Sequence, residues 1–308
     1  MSIQGYHAAS LPTCIIHILP TDDVEESPLF VWIPGNPGLL EYYQEFLRKI
    51  HQKNPSWELL AISHAGAVIE SSQLKRLDHK APIYDLNEQI NHKIEIINKY
   101  STPDRKLIIM GHSVGAYMVQ KIVASSNLVG SVVKMGLLTP TVIDIHKSSH
   151  GVLFTKAFEW AANLYEYLPF LSDIAFNKLI PSYWTKLLVS FMMGCAWDDH
   201  HIILGTFLLL TQRETLRQVL GLASVEMRQI RNDWSFQKTL IDQCKQNGTD
   251  IWILFSGNDH WVSNNTMAEL ITFYKERCPE NKLQVDVHNN IKHSFVVSNV
   301  DTIVNSYF

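Results

Sequence analysis

Six short apolar runs rich in β-branched residues recur along the chain, and stretches with helical spacing separate them. The runs cover residues 29–33, 57–62, 107–110, 132–138, 251–255 and 283–287. Nearly continuous apolar runs of this length predict strands buried on both faces, and therefore a mostly parallel sheet with helical crossovers. Helices are predicted at residues 39–51, 86–100, 116–125 and 267–277. This alternation predicts an α/β sandwich, in which chemistry collects at the carboxyl ends of the strands.

Residues 141–234 interrupt the alternation. They contain no clear strand, they are rich in aromatic residues, and they include two apolar segments at 187–197 and 202–210. An Asp-Asp-His-His run at 198–201 separates these two segments. Because a chain of 308 residues is near the upper limit for one core, we predict a single domain. Within it, residues 141–234 are predicted to form a helical cap over the active end of the sheet.

Charge and cysteine spacing limit the partners and the compartment. The formal net charge is -4 and no run of Lys or Arg exceeds two residues, so no nucleic-acid partner is expected. Residues 1–20 lack the basic and apolar regions of a signal peptide, and we therefore expect a reducing, cytosolic environment. The cysteines have no metal-ligand spacing and are expected to be thiols: Cys14, Cys195, Cys244 and Cys278.

A G-x-S-x-G motif lies between a predicted strand and a predicted helix, with Ser113 at its centre. A serine on such a sharp turn stands clear of the sheet, and Gly111 and Gly115 remove side chains that would clash there. The following helix directs backbone N–H groups toward developing negative charge. Ser113 is therefore the predicted nucleophile. His112 and Val114 complete this nucleophile elbow, and the Val114 N–H is a predicted oxyanion-hole donor.

A nucleophilic serine needs a base and an acid that orients the base. Asp259 and His293 follow the last two predicted strands, in the chain order serine, acid, histidine that suits this arrangement. They are the predicted acid and base. Asp144 remains a rival acid, and His260 and His288 remain rival bases.

The second oxyanion donor is expected in the loop after the first predicted strand. This loop reads Pro-Gly-Asn-Pro-Gly at residues 34–38. Because Pro37 has no N–H, the backbone of Asn36 is the candidate donor. The alternative is a rigid Pro/Gly turn without a catalytic role.

Four stretches together resemble the lipid droplet-associated hydrolase family. They are WIPGNPG at 32–38 with Tyr42-Tyr43, GHSVGAY at 111–117, NDHW at 258–261 and HSFV at 293–296. The resemblance implies an α/β-hydrolase fold and a serine lipid hydrolase that acts on cholesteryl ester or another neutral lipid. It also implies residence on lipid droplets and the endoplasmic reticulum. It places the nucleophile at Ser113, the acid at Asp259 and the base at His293.

The motifs and the resemblance favour a serine ester hydrolase that works at a lipid surface on the cytosolic side. No metal or organic cofactor is expected, because the Ser-His-Asp set supplies the nucleophile and the proton transfers. Two alternatives remain open. One is an acyltransferase that passes the acyl group from Ser113 to an alcohol. The other is a hydrolase-fold protein that binds lipid droplets with weak or no catalysis.

The apolar segments of the cap are predicted to meet lipid without crossing it. Neither 187–197 nor 202–210 has the about 20 apolar residues that a bilayer span needs. Two short segments with a polar junction suit insertion into one leaflet or a droplet monolayer. Alternatively, they only cover the active site. Metal ligation by Asp198, Asp199, His200 and His201 is a further alternative, although a polar helix junction is favoured.

Overall fold

The computed structural model describes residues 2–22, 26–67, 82–194 and 200–308, with the His200 side chain excepted. Within these residues an eight-stranded sheet has the order β1-β2-β4-β3-β5-β6-β7-β8. The strands are β1 (Gln4–Tyr6), β2 (Thr13–Ile18), β3 (Leu29–Ile33), β4 (Glu58–Ile62), β5 (Lys106–His112), β6 (Ser131–Leu138), β7 (Asp250–Ser256) and β8 (Leu283–His288). All neighbours from β4 to β8 are parallel, which confirms the predicted mostly parallel α/β sandwich.

The first two strands were not predicted. β1 and β2 pair antiparallel with each other, and β2 pairs antiparallel with β4. β1 has only three residues, and the later part of β2 is half-buried and includes His17. β1 is too short to show an apolar run, and the polar residues Thr13 and His17 interrupt the run in β2 by which a buried strand is recognised.

Alternate residues of β3 show why this central strand is apolar throughout. Leu29, Val31 and Ile33 pack into one hydrophobic cluster. Phe30 and Trp32 pack into a second cluster on the other face of the sheet. All five are completely buried, and each contributes about 1.5–3 kcal/mol of burial free energy. The sheet therefore packs against a hydrophobic cluster on each of its faces.

Helices cover both faces. The described α-helices are α1 (Gln44–Lys53), α2 (Leu86–Tyr100), α3 (Val114–Val123), α4 (Ser149–Trp160), α5 (Leu164–Asp173), α6 (Ser182–Met193), α7 (His200–Thr211), α8 (Arg213–Gln229), α9 (Trp234–Asn247), α10 (Asn264–Arg277) and α11 (Val300–Tyr307). Helices α2, α3, α9 and α10 pack on one face and α1 and α11 on the other. Helix α2 has the predicted bounds, and an Asp85–Glu88 capping box closes its first turn. The other predicted helices overlap α1, α3 and α10 with shifted ends.

Helices α4 to α8 lie between β6 and β7, in the segment for which the cap was predicted. We call residues 141–234 the cap. None of the described helices is long and apolar enough to cross a membrane. Asp198 and Asp199 lie outside the described residues, and in the described part no three potential metal ligands cluster together. Cys195 is also outside the described residues, whereas the other three cysteines are buried thiols.

Candidate active site

The turn between β5 and α3 explains the spacing of the G-x-S-x-G motif. Ser113 has φ +54° and ψ −122°, a backbone conformation that side-chain-bearing residues rarely adopt. A Cβ atom on Gly111 would lie 2.5 Å from the carbonyl oxygen of Gly115. A Cβ atom on Gly115 would lie 2.4 Å from the carbonyl oxygens of Ile33 and Pro34. Because all these atoms belong to the backbone, both positions require glycine, and the turn holds Ser113 above the sheet.

The structure brings the three predicted catalytic side chains into one hydrogen-bonded chain. The Nε2 atom of His293 is 3.0 Å from Ser113 Oγ, and its Nδ1 atom is 2.8 Å from Asp259 Oδ2. The other oxygen of Asp259 accepts hydrogen bonds from the N–H groups of Trp261 (2.7 Å) and Val262 (3.2 Å). The acid is therefore fixed on both oxygens. An Nδ1–H donated to Asp259 leaves Nε2 free to accept the serine proton.

The rival acid and bases have other partners. Asp144 forms an ion pair with a lysine three residues along the chain. His288 hydrogen-bonds to the Tyr307 hydroxyl, and the His260 ring packs 5.0 Å from the ring of His150. Each rival is thus engaged outside the Ser-His-Asp chain.

Asn36 and Val114, the predicted oxyanion donors, lie beside Ser113. Val114 is the first residue of α3, so its N–H has no partner within the helix. Asn36 lines the same cavity as Ser113 and precedes Pro37 through a cis peptide bond. Val114 thus directly follows Ser113 at the start of α3, and Asn36 lines the cavity into which Ser113 opens.

A buried chain of hydrogen bonds, not predicted from the sequence, connects the loop at residues 34–38 to the backbone of His293. The Gly35 N–H donates to the Tyr43 hydroxyl (2.9 Å), which is 2.6 Å from His112 Nδ1. The Nε2 atom of His112 is 2.9 Å from the backbone oxygen of His293. Burial lowers the pKa of His112 to about 3, so the ring is neutral. Tyr43 therefore donates to Nδ1, and Nε2–H donates to the carbonyl.

The serine opens into a cavity of about 340 Å³ between the sheet and the cap. Most of its wall is apolar and includes Ile145, Phe154, Leu216, Val219, Met227 and Trp261. One polar group on the cap side is Glu226, which is buried and accepts a 2.8 Å hydrogen bond from the side chain of Asn36. Burial raises the pKa of Glu226 to about 8. Sequence reasoning missed this carboxyl.

The outer side of the cap is unusually apolar. Among the described residues, every large exposed apolar side chain except Leu19 and Val287 lies between residues 152 and 204. We call the following set the apolar cap surface: Trp160, Tyr167, Phe170, Leu171, Leu179, Tyr183, Trp184, Phe191 and Met192. Exposed apolar side chains concentrated in this way are typical of surfaces that bind a partner or a lipid phase.

The sheet order, the serine turn and the helical insertion after β6 define an α/β hydrolase, and solved structures agree. A haloalkane dehalogenase from Bradyrhizobium elkani matches with a TM-score of 0.63 at 11% identity, over 99% of this chain and 95% of that chain. A 2-hydroxy-6-oxo-6-phenylhexa-2,4-dienoate hydrolase from Rhodococcus sp. matches with a TM-score of 0.62 at 11% identity, over 98% and 95%. At such identities the similarity shows the fold alone, and the α/β-hydrolase fold is confirmed.

Sequence relatives identify the family within this class. The model of the lipid-droplet associated hydrolase family matches residues 26–296. A lipid droplet-associated hydrolase of Drosophila melanogaster is 27% identical over 281 residues, which cover 90% of this chain and 86% of that protein. One of Gallus gallus is 26% identical over 301 residues, covering 91% and 83%. The chain belongs to the lipid droplet-associated hydrolase family, as its motifs predicted.

Proposed function

We propose that this hydrolase cleaves carboxylic esters of neutral lipids, such as cholesteryl esters, through an acyl-enzyme on Ser113. The observation that carries the proposal is the hydrogen-bonded chain Ser113–His293–Asp259 at the floor of an apolar cavity. Such a chain generates an alkoxide-like nucleophile at neutral pH without a metal or an organic cofactor.

In the first half-reaction, Ser113 Oγ attacks the ester carbonyl carbon while His293 Nε2 accepts the serine proton. Asp259 holds the imidazole and stabilises its charged form. The N–H groups of Val114 and Asn36 donate to the oxyanion that forms. Collapse of this intermediate breaks the bond to the alcohol, which leaves with the proton from His293. Water then attacks the acyl-serine by the same route and releases the carboxylic acid.

The cavity supports an apolar acyl group as the bound part of the substrate. Its wall has many aliphatic and aromatic side chains, and its volume of about 340 Å³ is at the low end of the roughly 300–1,000 Å³ typical of ligand pockets. That volume suits one acyl chain better than a whole neutral lipid. The remainder of the lipid stays in the droplet or membrane phase under the cap.

We further propose that the apolar cap surface binds the lipid droplet monolayer and the cytosolic face of the endoplasmic reticulum. Its exposed aromatic and aliphatic groups have the composition of an interfacial anchor. The relatives from Drosophila melanogaster and Gallus gallus carry lipid droplet association in their names. An interfacial position would also bring ester substrate to the cavity without passage through water.

A double substitution tests the surface. Phe191→Asp with Met192→Asp replaces side chains that are 86% and 73% exposed. We expect binding to phosphatidylcholine-coated triolein droplets to fall about tenfold or more, since charge there opposes insertion. Droplet flotation measures the fraction of protein that is bound. Val287→Asp, at an exposed apolar residue far from the cap in sequence, is the matched control. Equal flotation of all three proteins would contradict the surface assignment.

Covalent labelling tests the catalytic proposal. A fluorophosphonate probe should label the wild type and Ser294→Ala, whereas Ser113→Ala should remain unlabelled, because only Ser113 has His293 as its base. Ser294 lines the same cavity and is therefore the matched control. A screen across ester classes, with Ser113→Ala as the blank, then identifies the preferred ester. Labelling of Ser113→Ala at the wild-type rate would overturn the proposal.

A further inference from the structure

Glu226 joins the cap to the loop at residues 34–38, through Asn36. Its Oε1 atom accepts a 2.8 Å hydrogen bond from Asn36 Nδ2, which also donates to the backbone oxygen of Val219 at 3.0 Å. Val219 and Glu226 are about two turns apart on α8 and so lie on one face of this helix. The Asn36 side chain is thus held against a single helix face, although 190 residues separate it from Glu226.

Asn36 occupies a position at which small displacements matter. Its backbone N–H is the proposed second donor to the oxyanion, and its side chain forms no part of the Ser-His-Asp chain. An oxyanion donor is effective only when its orientation is fixed before charge develops. Holding the side chain of a residue restricts rotation of its backbone as well. The hydrogen bonds to α8 are therefore a means of fixing this donor.

The protonation state of Glu226 suits this task. Burial raises the pKa of its carboxyl to about 8, and the Asn36 hydrogen bond only partly opposes this shift. At pH 7 the group is therefore mostly a neutral acid, whose carbonyl oxygen accepts from the amide. A carboxylate in the same place would repel the oxyanion that forms at Ser113. A neutral acceptor positions Asn36 without that repulsion.

We propose that Glu226 is a positioning residue that holds the Asn36 side chain against α8 and thereby fixes the Asn36 N–H in the oxyanion hole. The hole is then complete only when the cap is seated on the sheet. This inference rests on the proposed function, because it concerns the same ester hydrolysis.

Two substitutions distinguish the effect of the hydrogen-bond acceptor from the effect of side-chain shape. Glu226→Gln keeps an acceptor oxygen and a neutral group, and kcat for a soluble p-nitrophenyl ester should stay within about threefold of the wild type. Glu226→Met fills similar space without an acceptor, and kcat should fall about 10- to 100-fold with little change in KM. Leu222→Met, a change of similar volume at a buried residue of the same helix that does not line the cavity, is the matched control and should retain the wild-type kcat.

All rates are expressed per active site titrated with the fluorophosphonate probe. A purely structural role would reduce the titrated fraction and leave kcat per site unchanged, and that result would overturn the inference. In an Asn36→Ala background, Glu226→Met should add little further loss, whereas a full additional loss would also overturn it. If Ser113→Ala is inactive but Glu226→Met is not impaired, only the positioning role fails. If Ser113→Ala hydrolyses esters at the wild-type rate, the proposed function itself fails.

Discussion

Replacing His293 with Ala should lower kcat for ester hydrolysis about 10⁴- to 10⁶-fold. His293 Nε2 is 3.0 Å from Ser113 Oγ, so its loss removes the acceptor for the serine proton and the donor for the leaving alcohol. The oxyanion donors and the cavity would remain, and they alone account for the residual rate. Because the assay uses a soluble ester, the measured kcat does not depend on binding to lipid.

Because the serine and the base act as a unit, the double variant Ser113→Ala, His293→Ala should be no slower than either single variant. Asp259→Asn should cost about 10⁴-fold, since it disturbs the tautomer of the base. His288→Ala and Asp144→Asn are the matched controls and should stay within a few-fold of the wild type, because both residues are engaged elsewhere. Multiplicative losses in the double variant would show that Ser113 and His293 act independently.

The sequence predicted the parts of the site that depend on local chemistry. A strand, a strained serine and two glycines at fixed spacing can be recognised within ten residues, and the structure shows the backbone contacts that demand those glycines. Asp259 and His293 were predicted because each follows a strand, and parallel strands end at one edge. The structure joins both side chains to Ser113 in one hydrogen-bonded chain, as that placement predicts.

Other features depend on contacts that no short pattern records. Tyr43 and His112 meet across 69 residues, and Asn36 and Glu226 meet across 190. Each pair is specified by how helices and loops pack, not by spacing in the chain. Glu226 also lies in a helix whose other polar residues give it no distinction by sequence alone. Burial, which only the fold reveals, makes it unusual.

The two apolar segments of the cap, both predicted to meet lipid, differ in their exposure. The segment 202–210 is the more apolar one in sequence, yet Ile202 and Ile203 are buried and Leu209 lines the cavity. The most exposed apolar groups are instead side chains such as Trp160 and Phe191. Average hydropathy counts apolar residues but does not say which face of a helix the sheet covers.

Glu226 should make the stability of the protein fall as pH rises from about 5 to 8. Burial raises its pKa in the folded state to about 8 from a usual value of 4.5. Between these values the folded protein keeps a proton that the unfolded chain has released. The free energy of unfolding therefore falls by about 1.4 kcal/mol per pH unit from this group, and by roughly 3–5 kcal/mol across the window. Below pH 4.5 the full contribution of Glu226 to the free energy of unfolding is present.

Glu226→Gln isolates this effect, because the amide does not titrate. Other buried groups with shifted pKa values, such as Glu41 and His112, are unchanged by the substitution and cancel in the comparison. We therefore measure the free energy of unfolding by urea at several pH values. Relative to the wild type, that of the variant should rise by a few kcal/mol between pH 5 and 8. Glu159→Gln, at an exposed glutamate of the cap, should follow the wild-type curve. Parallel curves for Glu226→Gln would mean that the folded protein holds Asn36 with a carboxylate, and the charge beside the oxyanion hole would then oppose catalysis.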